Sequence, residues 1–308
     1  MHCARQGPLL AARFRAMGSA CELLAETVDA AGFHAVAQQV EREVARIERK
    51  YTRYGRSGVL ALLRRRAGRR VWLDAETAGL IDIAAQWHER SAGLFDITGG
   101  TLQRLWRFER AKRPPDATAV ERALAHTGFG RLHWDAPRLE LPPGMELDLG
   151  GVVKEYAADR AAALCRDHGI EHGLVNLGGD IRVIGPAPDG RPWQIGVRHP
   201  RREDAVSGGL SVREGGVATS GDYERCIVVD GVRYGHILNP LTGWPVRHLA
   251  SVTVIGPYCL VAGSASTVAL LKEGEGPQWL QRLGFPHVWV DAAGEVGGTL
   301  GQSASGPR

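Results

Sequence analysis

Residues 152–185, VVKEYAADRAAALCRDHGIEHGLVNLGGDIRVIG, decide the fold class because they join a helix to a series of short strands. Residues 152–169 predict a helix that ends at Gly169, and glycine suits the left-handed conformation that often closes a helix. Residues 173–185 predict short strands and a tight turn, and this pattern continues to about residue 255. Because the strands follow helices as a group and do not alternate with them strictly, the sequence predicts an α+β fold.

The rest of the chain adds elements on both sides of this stretch. Apolar periodicity and capping residues predict further helices over 33–50, 74–91, 116–126, 257–271 and 275–284. Strands are predicted over 17–26, 71–73, 287–291 and, as short pieces joined by turns, within 131–151.

Domain organisation follows from the absence of any Pro/Ser-rich linker or internal repeat in the sequence. We expect a single domain over residues 14–295, built from a mixed, mainly antiparallel sheet packed with helices. Residues 1–13 are then an N-terminal extension, and residues 296–308 a flexible tail.

The composition excludes several classes of protein. Five scattered cysteines without a CxxC pair argue against a disulfide framework or a zinc site. No apolar segment has the length of a signal peptide, and none approaches the roughly 18–20 residues of a membrane span. We therefore expect a cytoplasmic protein with no membrane span.

Residues 42–70 form a basic block, with eleven Lys or Arg residues against two Glu. Such a block can hold nucleic acid, an acidic partner or a phosphate-bearing ligand, or it can be a solvated helix face followed by a loop. Nucleic acid is not expected, because no helix-turn-helix, zinc-finger or RNA-recognition pattern accompanies the charge.

A glycine pair in LDLGGVVKEYAAD (147–159) marks a candidate anion site. Gly150 and Gly151 precede the helix, and exposed amides at a helix start favour a negative charge. With Lys154 one turn further on, the arrangement suits a pyrophosphate, although a tight turn is the alternative. Asp148 could accept a hydrogen bond from a ligand or cap the helix. The segment is neither a GxGxxG fingerprint nor a P-loop.

Residues 232–245, VRYGHILNPLTGWP, place one histidine, His236, before an Asn-Pro turn. A histidine at a strand end can exchange a proton near neutral pH, or it can be an ordinary, partly buried residue. Phe95 and Asp96 lie at a bend, and Tyr54 lies in the basic loop. Aromatic rings in loops can stack on a flat ligand or pack in a core or a lid.

Together these motifs resemble the ApbE family, the FAD:protein FMN transferases, from about Phe14 to Asp291. The motifs occur in the family order: MGS, TRYGRSG, SAGLFDITGGTLQRLW, LDLGGVVKEYAAD, LVNLGGDIRVIG, ATSGDYER and GHILNPLTGWPV. The resemblance implies an enzyme that binds FAD, cleaves its pyrophosphate with Mg²⁺ and attaches FMN to a Ser or Thr of an acceptor protein. AMP is then the leaving group.

The resemblance also implies roles for individual residues. His236 stands at the place of the general base, and Gly151 and Thr267 at the metal site. FAD contacts are implied for Met17, Tyr54, Leu94, Phe95, Asp96, Asp148, Lys154 and Leu238.

Three positions depart from the family pattern. Residues 262–271 read AGSASTVALL, so Gly263 stands where the family usually has a metal-binding Asp. Asn239 replaces the usual Asp in the turn after His236, and Glu155 stands where glycine is common. Mg²⁺ prefers hard oxygen ligands, usually including one or two carboxylates. Three hypotheses follow: Glu155 or Asp180 supplies the missing charge, Lys154 neutralises the pyrophosphate directly, or transferase activity is lost and flavin binding is kept.

Two other functions therefore stay open beside transfer of FMN. The chain could be a non-catalytic FAD-binding protein, or an FAD pyrophosphatase in which water replaces the acceptor hydroxyl. Many family members are exported, so the resemblance also leaves the cellular location open.

Overall fold

The computed structural model describes residues 1–27, 29–108, 110–202 and 205–300. The α-helices of this described part are α1 (Ala30–Tyr51), α2 (Val59–Arg65), α3 (Ala75–Arg90), α4 (Gly100–Trp106), α5 (Ala117–Leu124), α6 (Val153–Asp167), α7 (Cys259–Leu271) and α8 (Gly276–Arg282). The helices predicted from the sequence are thus present, with ends shifted by a few residues.

The strands begin near the N-terminus and continue almost to the end of the described chain. They are β1 (His2–Gln6), β2 (Leu9–Ala16), β3 (Ser19–Glu26), β4 (Arg70–Trp72), β5 (His133–Asp135), β6 (Arg138–Glu140), β7 (Gly173–Leu177), β8 (Asp180–Gly185), β9 (Trp193–Arg198), β10 (Val206–Val212), β11 (Gly216–Gly221), β12 (Cys226–Val229), β13 (Val232–Gly235), β14 (Leu249–Gly256), β15 (His287–Asp291) and β16 (Val296–Gly298).

Within the described residues, nine strands form one central sheet in the order β1-β2-β3-β7-β8-β11-β14-β15-β16. Every neighbouring pair in this sheet is antiparallel. Smaller sheets form from β9 with β10, β12 with β13, and β4 with β5 and β6. The predicted α+β fold with a mainly antiparallel sheet is confirmed.

The two faces of the central sheet have different covers. Helices α1, α6 and α7 pack on one face, whereas the β9–β10 ribbon covers part of the other. Alternation along β8 sorts its side chains between the two sides, because successive residues of a strand point to opposite faces. Ile181 and Val183 pack under the ribbon, and Ile184 packs under the helices.

The same alternation places two charged residues of β8, Asp180 and Arg182, on the helix side. Each finds a partner on α6: Lys154 Nζ lies 2.8 Å from Asp180 Oδ2, and Arg182 Nε lies 3.3 Å from Asp159 Oδ1. These four side chains hold α6 in one position over β8. The start of α6 is thereby fixed at one end of the sheet.

The chain termini differ from the sequence-based expectation. Residues 1–13 are not a separate extension, because β1 and β2 pair with each other and join the central sheet through β3. At the other end, Val296–Gly298 pairs with β15, so the predicted tail begins inside the sheet. The remainder of that tail, residues 301–308, lies outside the described residues.

Residues 131–151 also differ in part. Strands β5 and β6 are present, but residues 145–151 form no strand. This segment is instead fixed by single contacts: a parallel bridge joins Gly99 to Glu146, and the amide of Asp148 donates to the carbonyl of Ile97 at 2.7 Å.

All five cysteines are free thiols. Among the helices of the described residues, none combines the length and apolar character that crossing a membrane requires.

Replacing Asp159 by alanine should lower the free energy of unfolding by about 3 kcal/mol, because breaking a buried ion pair leaves a charge uncompensated. The Asp159 carboxylate also accepts hydrogen bonds from the amides of Cys259 and Leu260, each at 2.9 Å, at the start of α7. Urea unfolding followed by circular dichroism measures the change. Asp167→Ala, at an exposed position of the same helix, is the control. Equal losses in both variants would contradict the role of Asp159.

Candidate active site

Two tight turns and the start of α6 meet at one end of the central sheet. The β2–β3 turn is made by Met17 and Gly18, both with positive φ (52° and 74°). The β7–β8 turn lies beside it, and its Gly178 donates to the carbonyl of Ala20 at 3.0 Å. A β-carbon on Gly178 would lie 2.5 Å from Cβ of Ser19 and 3.9 Å from Nζ of Lys154. The glycine therefore permits the close approach that brings these segments together.

Lys154 provides a positive charge at this place. Burial opposes its protonated form, but the charges of Asp180 and Glu155 outweigh that effect and raise the pKa of Lys154. Asp180 is fixed in place by two partners. Its Oδ2 forms an ion pair with Lys154 Nζ at 2.8 Å, and its Oδ1 accepts a hydrogen bond from the amide of Thr219 at 3.4 Å. Lys154 thus stays charged while its position is fixed by β8.

Glu155 and Gly263, two of the departures from the family pattern, lie against each other. A β-carbon on Gly263 would lie 2.5 Å from Cγ and 2.7 Å from Oε1 of Glu155. Glu155 is only 7% exposed, and its Oε2 finds no hydrogen-bond partner among the described residues. Burial and then the charge of Asp180 raise the pKa of this carboxyl. A negative charge is costly here unless a cation compensates it.

Three hydroxyls surround the same part of α7. Ser220 Oγ lies 2.8 Å from both Ser266 Oγ and Thr267 Oγ1, which connects the end of β11 to the helix. Thr267 follows Gly263 by four residues, so the two positions lie on one face of α7. The Thr267 hydroxyl and the Glu155 carboxylate therefore both face the region between α6, α7 and β11.

His236 follows β13 directly and is half-buried. Its carbonyl accepts a hydrogen bond from Gln103 Nε2 at 2.8 Å, and its Nδ1 is buried without a partner among the described residues. Burial and the positive charge of Arg225 lower the pKa of His236 to about 3. The charges of Lys154 and Arg53 act in the same direction.

The basic loop approaches the start of α6 through Arg53. Its Nε lies 3.4 Å from Asp148 Oδ2, and its guanidinium lies 4.6 Å from the centre of the Tyr54 ring. Asp148 also accepts the amide of Gly150 at 2.8 Å. Tyr54 is 67% exposed, and its hydroxyl accepts a hydrogen bond from Arg53 Nη2 at 2.7 Å. Arg53 thus contacts both Tyr54 and Asp148, two of the residues predicted as FAD contacts.

Several of the amides that were expected to bind an anion near Gly150 and Gly151 already donate hydrogen bonds within the protein. The amide of Gly150 donates to Asp148, and the amides of Val152 and Val153 donate to the carbonyl of Leu149, each at 3.0 Å. Three amides near the helix start are therefore already used. Lys154 adds a positive charge at this position.

Four other predicted contacts lie deeper or are already engaged. Phe95 is buried, and its ring packs 3.7 Å from the β-carbon position of Gly151. Leu94 and Leu238 are half-buried and pack against apolar clusters. The carboxylate of Asp96 accepts the amide and hydroxyl of Thr98 and the amide of Phe129. Asp96 therefore holds this loop in shape, and its place as an FAD contact stays a prediction.

Sequence reasoning did not assign roles to several residues that support the site. Arg201 makes two hydrogen bonds to the buried carboxylate of Asp222, at 2.5 and 2.7 Å. A β-carbon on Gly235 would lie 2.8 Å from Cβ of Asp222, so this pair sets the position of the residue before His236. The motif ATSGDYER contained Ser220 and Asp222, but the motif alone does not show which of its polar side chains face the site.

Some basic residues of the block form ion pairs with acidic residues of the protein itself. Arg46 and Lys50 bind Glu76 at 2.5 and 2.9 Å, and Lys50 also binds Asp74 at 2.7 Å. These contacts support the interpretation of the first part of residues 42–70 as a helix face. The prediction of a loop for the rest is wrong in part, because α2 (Val59–Arg65) lies within it; Arg53 precedes α2 and contacts Asp148.

The fold and the site together define a class: α+β proteins in which a histidine, a lysine and a group of hydroxyls meet at the end of an antiparallel sheet. Residues 17–289 match the family described as the ApbE family. The chain belongs to the ApbE family.

Three known proteins illustrate the similarity. The FAD:protein FMN transferase of Klebsiella pneumoniae (strain 342) is 31% identical over 280 residues, which cover 87% of this chain and 79% of that protein. The crystal structure of the ApbE protein of Thermotoga maritima MSB8 has a TM-score of 0.88 and 33% identity, with 94% of this chain and 96% of that chain covered. The apo form of the Pseudomonas stutzeri flavinyl transferase ApbE gives a TM-score of 0.85 and 28% identity, with 96% and 98% covered.

His236 should stay neutral throughout the range from pH 8 to pH 5, because its pKa of about 3 lies well below its ordinary value of 6.5. The unfolded chain then binds a proton that the folded chain does not, so the free energy of unfolding falls as pH drops below about 6.5. Nuclear magnetic resonance of labelled histidine, assigned with His236→Gln, should show no titration of this ring. A midpoint near pH 6.5 would contradict the burial argument.

Proposed function

We propose that this protein is an FAD:protein FMN transferase, which moves FMN from FAD to a Ser or Thr hydroxyl of an acceptor flavoprotein and releases AMP. The observation that carries the proposal is His236 at the end of β13, which burial and the charges of Arg225 and Lys154 keep neutral, in a chain whose relatives are named for this activity. A neutral imidazole can accept the hydroxyl proton, and a nearby cation can meet the phosphate charge.

The reaction is a phosphoryl-type transfer. The acceptor oxygen forms a bond to the phosphorus of the FMN half, the P–O bond of the pyrophosphate breaks, and the electron pair leaves on AMP. His236 takes the proton from the attacking hydroxyl. Its low pKa makes it a weak base in the free protein, and the negative charge of bound FAD should raise that pKa towards the useful range.

In this proposal Lys154 and Arg53 compensate the negative charge of the FAD pyrophosphate, because Lys154 lies in the first turn of α6 and Arg53 contacts Asp148 just before that helix. The exposed ring of Tyr54 stacks on a flat ring of FAD. Met17, Leu94, Phe95 and Leu238 shape the pocket walls, and Asp148 orients Arg53.

A magnesium ion fits the oxygen groups of this site. No group of three or more His, Cys, Asp or Glu side chains able to hold a metal occurs in the described part of the chain. Mg²⁺ does not need such a group, since it binds through one or two carboxylates, substrate phosphates and waters. Thr267 and the backbone carbonyl of Gly151 would hold it, and the orphaned oxygen of Glu155 supplies a buried negative group nearby. The ion would neutralise phosphate charge during transfer.

His236→Ala should lower the rate of FMN transfer by about 10²–10⁴-fold, the usual contribution of a positioned base. The dissociation constant of FAD should change only a few-fold, because His236 acts on the attacking hydroxyl. Covalent flavin on the acceptor is measured by in-gel fluorescence, and FAD binding by flavin absorbance. Unchanged transfer would remove His236 from the role of base.

AMP release separates the three candidate functions. The protein is mixed with FAD and Mg²⁺, with and without an acceptor flavoprotein, and an acceptor lacking its target hydroxyl is the control. AMP formed only with the intact acceptor supports transfer. AMP formed in all three mixtures would indicate a pyrophosphatase, and FAD binding without AMP in any of them would indicate a flavin-binding protein.

A further inference from the structure

Glu155 presents a buried carboxyl group at the edge of the site. It is 7% exposed, and its Oε2 is without a hydrogen-bond partner among the described residues. A buried, unpaired carboxylate oxygen is costly, so a group that binds it is expected.

The neighbouring carboxylate does not have this property. Asp180 accepts the Lys154 ammonium at 2.8 Å and the amide of Thr219 at 3.4 Å. Its charge is compensated by a lysine that α6 itself provides. Of the two buried acids, Glu155 is therefore the one with an oxygen left for a cation.

Gly263 explains how α7 accommodates this carboxylate. The Cγ, Oε1 and Cδ atoms of Glu155 lie 2.5, 2.7 and 2.9 Å from the position that a β-carbon on Gly263 would take. Real β-carbons do not approach other atoms so closely, so a side chain at 263 and the present position of Glu155 exclude each other. The Glu155 side chain of α6 therefore occupies the space beside Gly263 of α7.

Oxygen groups of the kind that bind a hard cation lie on the face of α7 that contains Gly263. Thr267 lies on the same face of α7 as Gly263, and its hydroxyl joins Ser220 and Ser266 through contacts of 2.8 Å. Hydroxyl, carboxylate and carbonyl oxygens are the ligands that Mg²⁺ prefers, and thiol or imidazole ligands are not needed.

We propose that Glu155 is the carboxylate ligand of the magnesium ion in this protein, supplied by α6 into the space that Gly263 leaves on α7. The proposal rests on the proposed function for the presence of the ion. Asp180 and Lys154 form a structural and charge-bearing pair beside it.

Binding of Mn²⁺, a spectroscopic substitute for Mg²⁺, tests this directly. Electron paramagnetic resonance measures free Mn²⁺ in the presence of ADP, which carries the adenosine diphosphate part of FAD. Glu155→Gln should weaken Mn²⁺ binding by about tenfold or more, since loss of even an indirect partner of a metal ligand costs 10–100-fold. Its melting temperature without metal should be equal or higher, because a neutral amide costs less to bury than a carboxylate.

Ser264→Ala is the matched control, because Ser264 is a fully buried residue of α7 whose hydroxyl is also without a partner among the described residues. It should bind Mn²⁺ as the parent protein does. A Glu155→Gln variant that binds Mn²⁺ with parental affinity would overturn the proposal. So would a loss of melting temperature with no change in Mn²⁺ affinity, which would make Glu155 a structural residue.

Moving the carboxylate between the two helices provides a second test. Glu155→Ala removes the three atoms that crowd position 263 and should weaken Mn²⁺ binding. Adding Gly263→Asp to this variant should restore Mn²⁺ affinity to within a few-fold of the parent. If the double variant folds, as judged by its melting temperature, and binds Mn²⁺ no better than Glu155→Ala, the two positions do not serve one metal.

The failure of this proposal and of the proposed function give different results. If Glu155→Gln retains both Mn²⁺ affinity and FMN transfer, Glu155 is not the ligand and the transferase function stands. If the parent protein binds no Mn²⁺ with ADP, the ligand proposal fails. If it also releases no AMP with an intact acceptor, the transferase function fails as well.

Discussion

The attachment of α6 to β8 by two ion pairs is the constraint on which the rest of the structure depends. Lys154 binds Asp180 at the first turn of the helix, and Asp159 binds Arg182 further along it. Asp159 also accepts the first amides of α7, so one carboxylate connects strand and both helices. These contacts fix the rotation of α6, and the rotation decides which of its side chains face the region beneath α7.

This rotation has a chemical consequence. It presents Lys154 to the end of the sheet and Glu155 to α7, so adjacent residues of opposite charge serve different neighbours. Burial makes each charge expensive on its own. The lysine is compensated by Asp180 within the protein, whereas the glutamate has an oxygen left over. Glu155 Oε2 is therefore the place beside α7 where a cation would be stabilised.

Much of the fold was predictable, because helices and strands leave local periodic patterns. The helix of 152–169 and its glycine end follow from such a pattern and from capping. Strands β1 and β2 were missed for an identifiable reason. Polar edge residues and the arginines at 13 and 15 interrupt the apolar pattern. Phe14 and Ala16, which alternate with these arginines, are nevertheless buried. Exposed and buried side chains alternate over residues 13–16 of β2, as in a strand with one face in solvent.

The sequence by itself determined the fold class, the order of the motifs and the family, because these depend on local patterns and on residue types at set spacings. It also identified His236 and Lys154 as candidates and left three explanations for Gly263. Only the tertiary structure decided that Glu155 lies in the space beside Gly263 and that Asp180 is already paired. The physical reason is that contacts between helices depend on how each helix is rotated and packed, and that rotation is set by ion pairs and core contacts between residues far apart in the chain.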